Sequence, residues 1–155
     1  MTQSMRVCIG GTFNGLHKGH LSLIDKALRT AGEQGSVFIG ITEGEMIKIK
    51  KDVKPFEQRK QVILDYLYKK KSTTSVEIKT ITDKYGPSIE REFDAIVVSP
   101  ETIRTAEEIN DKRRKLDKKP LKIIKIPFVL AENGAPISSS RIKNNEINAD
   151  GKLIE

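Results

Sequence analysis

The stretch VCIGGTFNGLHKGHLSLIDKAL, residues 7–28, changes its hydrophobic period half-way along. Residues 5–9 are mostly apolar, as in a short buried strand. Further on, Leu21, Ile24, Leu28 and Ala31 recur at i, i+3, i+7 and i+10, the spacing of one buried helix face. Between the two lies GTFNGLHKGH, residues 11–20, which therefore reads as a strand-to-helix turn. Gly10, Gly11 and Gly15 are expected to let the backbone turn tightly and approach a ligand closely. The first N–H groups of the helix are expected to lack partners and to lie at its positive dipole end, which suits a phosphate. Both histidines of the chain, His17 and His20, fall on this turn.

Outward from the turn, strand and helix patterns alternate. The first strand is read at 6–10 and the first helix at 18–31, ended by Gly32 and Gly35. Residues 36–42 (SVFIGIT) form a second strand, and 43–54 an exposed loop rich in Lys and Gly. Pro55 suits the first turn of a helix whose buried face is predicted to carry Phe56, Val62, Ile63, Tyr66 and Leu67. That helix ends at Lys69, Lys70 and Lys71, where cations complement its dipole. Residues 76–82 alternate as a strand with one less buried face, DKYGPS (83–88) makes a Gly-Pro turn, and a short helical turn runs through Glu92.

DAIVVS, 94–99, is the continuous apolar run of a central parallel strand. Ser99 is expected to cap the next helix with Pro100 at its first position, and Ile103, Ala106 and Ile109 on its inner side. Residues 121–126 give a fifth strand, Asn133 and Gly134 a turn, and 137–147 a last short helix. The alternation predicts an α/β fold and a single domain over 1–155: a doubly wound, mostly parallel five-stranded sheet with helices on both faces. Ligands in such sheets bind beyond the carboxyl ends of the strands, near the reversal of strand order. The loops at 11–20, 43–54, 99–104 and 132–141 should gather there.

Composition narrows the partners. The net charge of +7 over 155 residues implies anionic ones. Aromatic residues make up only 5%, with no Trp, and none is interleaved with the basic runs at 69–71 and 112–119, so nucleic acid is not favoured. No apolar stretch approaches the roughly 18–20 residues of a membrane span and no leader pattern is visible, so no membrane partner is expected. The lone Cys8 reads as a small buried hydrophobe in a reduced, cytoplasmic compartment.

Common glycine-rich motifs fail at this turn. Gly10 and Gly15 have the spacing of a Walker A loop, but Leu16 and His17 stand where Lys and Ser or Thr are needed. A dinucleotide fingerprint would require glycine where Thr12 sits. His17 and His20 are three apart with no acidic residue between them, unlike a zinc helix.

G-T-F-N-G-L-H-K-G-H does resemble the signature of the HxGH nucleotidyltransferase superfamily, and ISSSRI, residues 137–142, resembles its second element. DKYGPS (83–88) and VVSPETIRTAEEIN (97–110) are similar to segments of the archaeal/eukaryotic branch of the phosphopantetheine adenylyltransferases, and KPFEQR (54–59) to one that this branch shares with its bacterial counterparts. The resemblance spans residues 7–142 and departs from the family at Asn14, where Asp is usual. It implies a Rossmann-like nucleotidyltransferase fold and transfer of the adenylyl group of ATP to 4′-phosphopantetheine, with Mg²⁺ arriving on ATP and no protein metal site. Attack by a phosphate that is already an anion needs no general base, only positioning and stabilisation of charge.

Within the resemblance, His17, His20 and a lysine are the catalytic residues. Gly11, Thr12, Phe13, His17, Gly19, His20, Arg104, Ser138, Ser139, Ser140 and Arg141 would bind ATP, while Thr12 and the lysine would hold the acceptor phosphate. The lysine comes from the loop before KPFEQR, with Lys51 favoured over Lys50 and Lys54. Adenylyl or cytidylyl transfer to another phosphate ester, such as nicotinamide mononucleotide, flavin mononucleotide or glycerol phosphate, keeps the same chemistry. A basic, non-catalytic anion-binding module is the alternative from another class, and oligomeric state is not legible.

Overall fold

The computed structural model describes residues 4–48 and 52–127, apart from the side chains at 45 and 46. Five strands, β1 (Arg6–Gly11), β2 (Ser36–Thr42), β3 (Ser75–Ile81), β4 (Ala95–Val98) and β5 (Lys122–Lys125), form one sheet in the order β3-β2-β1-β4-β5. Every pairing is parallel. Three helices connect them: α1 (Lys18–Ala31), α2 (Phe56–Lys70) and α3 (Ile103–Lys115). The expected doubly wound α/β sheet is thus present, and the order reverses between β1 and β4.

The alternation of side chains along each strand divides the core in two. Val7, Ile9, Val37, Ile39, Ile41, Ala95 and Val97 face α1 and α2, where Ile24, Ala27, Leu28, Ala31 and Ile63 pack on them. Cys8, Phe38, Ile81, Ile96 and Val98 face the other way, against Ala106 and Ile109 of α3 and against Phe93. Cys8 is buried in the middle strand with its Sγ 3.7 Å from the Ala95 carbonyl, and burial pushes its thiol up to about 12. It packs as a hydrophobe, as expected.

Three local expectations need correction. Gly10 and Gly11 lie inside β1 rather than in the turn, where only Gly15 among the three has a positive φ, at 85°. α3 begins at Ile103 after Thr102, so Pro100 precedes the helix; a turn closed by Thr102 N–H to the Ser99 carbonyl at 3.1 Å takes the place of a Ser99 cap. Val62 is 41% exposed, because α2 turns only a narrow stripe inward. The turn at Asn133 and Gly134 and the helix at 137–147 lie outside the described residues.

The connection from β3 to β4 carries no α-helix, only a 3₁₀ turn at Gly86–Ser88. A buried arginine replaces the missing helix. Arg113, 1% exposed although it sits in the basic run, donates from Nη1 to the carbonyls of Ser88, Ile89 and Arg91 at 3.0, 3.2 and 3.1 Å. Its Nε donates to Lys119 O at 2.8 Å. Tyr85 reaches across to Glu108 at 2.8 Å, joining the two segments that resemble the adenylyltransferase branch. Arg113→Ala should therefore cost about 2–4 kcal/mol in urea unfolding, the scale for orphaning a cluster of buried carbonyls. An unchanged midpoint would show that water replaces the guanidinium freely.

Candidate active site

The turn at 12–17 leaves the carboxyl end of β1 beside β4, where the strand order reverses. No Ser, Thr, Asp or Asn stands at the N-cap of α1. His17 occupies it with extended backbone, φ −123° and ψ 176°. Its Nδ1 accepts from the N–H groups of Gly19 at 3.0 Å and His20 at 3.4 Å. His20 Nδ1 accepts in return from the His17 N–H at 3.4 Å, so two imidazoles close a reciprocal capping box.

Chemistry follows from that geometry. With each Nδ1 accepting, the proton of each neutral ring is on Nε2. The rings stack at 3.8 Å between centroids with 17° between planes, so the two Nε2–H groups belong to adjacent, nearly parallel rings. The amides of Gly19 and His20, expected to be unpaired, are taken by His17.

Two residues hold the rings in place. A Cβ at Gly19 would stand 2.8 Å from His17 Cε1 and 3.0 Å from Nδ1, so position 19 cannot carry a side chain without displacing the ring. Phe13 is buried with φ at 51°, an unfavourable conformation for an aromatic residue, and its ring lies 5.1 Å from that of His20. Gly11, Thr12, Phe13, His17, Gly19 and His20 therefore do come together. Arg104 is exposed on the first turn of α3. Lys50, Lys51, Ser138, Ser139, Ser140 and Arg141 lie outside the described residues.

Sequence reading missed Arg59. It is 1% exposed and ties together the segments that follow β1 and β2 and precede α2. Nη1 donates to the carbonyls of Thr12 at 3.1 Å and Thr42 at 2.8 Å, Nε donates to Lys54 O at 2.7 Å, and Nη2 meets the Glu43 carboxylate. The hydroxyls of Thr12 and Thr42 share a further bond of 2.8 Å. Its only signal was a place in KPFEQR, on a helix position that periodicity leaves polar.

Burial lowers the basicity of His17, and burial with the neighbouring His17 pushes His20 down to about 3; the Gly15 carbonyl opposes this weakly. Both rings are neutral donors at pH 7. Between about pH 3 and the unfolded value near 6.5, the unfolded chain binds a proton at this position that the folded chain refuses. Stability is therefore full above about 6.5 and declines as pH falls toward 3. His20→Gln should flatten the pH slope of unfolding free energy across pH 4–6 by up to about 1.4 kcal/mol per unit, one proton's worth. An identical slope in wild type and variant would mean that native His20 protonates freely.

The chain has relatives in both sequence and structure. The cytidylyltransferase-like family model matches residues 8–145. Phosphopantetheine adenylyltransferase of Methanosarcina mazei is 44% identical over 149 residues, covering 96% of this chain and 96% of that protein. The protein of the same name from Methanopyrus kandleri is 44% identical over 141 residues, covering 89% and 88%. A solved structure from Archaeoglobus fulgidus, described as of unknown function, superposes with a TM-score of 0.70 at 38% identity, covering 79% of this chain and 89% of that one. With its capped HxGH turn at the switch point and likeness along nearly its whole length, the chain belongs to the cytidylyltransferase-like family, alongside the archaeal phosphopantetheine adenylyltransferases.

Proposed function

We propose that the protein is a nucleotidyltransferase that moves the adenylyl group of ATP onto 4′-phosphopantetheine, giving dephospho-coenzyme A and pyrophosphate. The observation that carries the reading is the end-to-end likeness to relatives bearing that name, joined to a pair of neutral Nε2–H donors at the switch point. An acceptor phosphate oxygen forms a bond to the α-phosphorus, the α–β bridging bond breaks, and pyrophosphate carries the electrons away. No proton has to be removed, which suits a site built from donors.

In this reading His17 and His20 hold the ATP phosphates, with His20 donating to the charge that develops at the α-phosphate. Neutral imidazole suits that task, since it donates without a prior proton uptake. Thr12, on the turn fixed by Arg59, serves the acceptor phosphate together with Lys51. Arg104, Ser138, Ser139, Ser140 and Arg141 complete the nucleotide side. Mg²⁺ travels with ATP, its ligands supplied by phosphate oxygens and water. ATP as co-substrate is our ground for a cytoplasmic location.

Pyrophosphate release from Mg·ATP, with CTP as control, is the direct test. Release with ATP only when 4′-phosphopantetheine is present is expected. Release with nicotinamide mononucleotide, flavin mononucleotide or glycerol phosphate instead would reassign the acceptor, and no release with any would favour the anion-binding module. His20→Ala should lower kcat by about 10²–10³, the scale for one lost transition-state donor; wild-type turnover would remove the proposed mechanism. Thr12→Ala should raise KM for the acceptor more than for ATP, and an effect confined to ATP would reverse the two subsites.

A further inference from the structure

The carboxamide of Asn14 spans a gap that nothing in the local sequence announces. Its Nδ2 donates to the Asp52 carbonyl at 3.1 Å, and its Oδ1 accepts from the Lys54 N–H at 3.0 Å. On the far side of the same segment, Arg59 Nε donates to the Lys54 carbonyl at 2.7 Å. Both main-chain polar groups of Lys54 are thus held by side chains, one from the catalytic turn and one from α2. The backbone here is otherwise unfavourable: Asp52 has φ 56°, and Asn14 itself sits between Phe13 at 51° and Gly15 at 85°. Left-handed non-glycine residues persist only where their surroundings fix them.

Only an amide satisfies both partners. The aspartate usual in the resembling family accepts from an N–H but, when ionised, has no proton for the Asp52 carbonyl. We propose that Asn14 is a positioning residue for adenylyl transfer, its carboxamide fixing residues 52–54 against the HxGH turn so that the acceptor side of the site is preformed. This rests on the reaction proposed above. The same tie predicts that Asn14 touches no substrate and acts through the chain it holds.

The test uses the full chain with Asn14→Ala and Asn14→Asp, reading amide exchange at Lys54 without substrate and steady-state kinetics with Mg·ATP and 4′-phosphopantetheine. In Asn14→Ala, Lys54 exchange should rise about tenfold while β1 and α1 amides are unchanged, and KM for the acceptor should rise about tenfold with kcat within about twofold. Asn14→Asp keeps the acceptor oxygen, so Lys54 should stay protected while the acceptor KM rises only about threefold. Unchanged Lys54 exchange in Asn14→Ala overturns the tie. Altered exchange with wild-type kinetics overturns its role in the reaction. A loss of kcat alone, or a loss in Asn14→Asp as large as in Asn14→Ala, also overturns it. If wild type adenylates no acceptor, the reaction reading and the positioning role fall together, while the Lys54 measurement still decides the tie by itself.

Discussion

Everything at the carboxyl edge of this sheet depends on how α1 begins. A serine or aspartate would cap the helix equally well, but its hydrogen-bonding capacity would be largely spent in doing so. An imidazole has a second nitrogen. Capping through Nδ1 fixes the tautomer and leaves a donor on Nε2 of the same ring, and the reciprocal bond from His20 does this twice. Burial then keeps both rings neutral, so the pair carries no charge of its own. The helix start and the chemistry are one arrangement.

Arginines solve a recurrent problem of this architecture. Where parallel strands end, their last carbonyls have lost their ladder partners, and no neighbouring N–H is in register to receive them. A guanidinium offers five donors in a fixed plane, enough to serve several such oxygens from one side chain. Arg59 does so for the loops after β1 and β2, and Arg113 for the connection between β3 and β4. Among the described residues no buried side-chain polar atom is left without a partner. Both arginines are internal scaffolding, although by residue type each reads as surface charge.

The distinction between local and long-range causes explains what could be read from the chain beforehand. α1 and β2 lie where the periodicity places them, because the change from an apolar run to a 3.6-residue repeat is a property of neighbours in sequence. The histidine pair was conspicuous because its two members sit on one turn. Val62 misled because a stripe drawn from residue types alone is wider than the face that α2 turns inward. Pro100 misled because a turn held by Thr102 intervenes before the helix. The partners of Arg59 and Asn14 could not be named beforehand, since all but one lie 16 to 47 residues away and only the finished fold brings them within reach.

The lone thiol at the centre of the sheet has a different use. Cys8 lies in the strand flanked by β2 and β4 and is held in its unreactive, protonated form. An alkylating reagent can reach it only after that strand has come away from its neighbours. The slow accumulation of one covalent label on the native protein is therefore a clock for the rarest opening of the molecule, wound into the chain without any engineered probe.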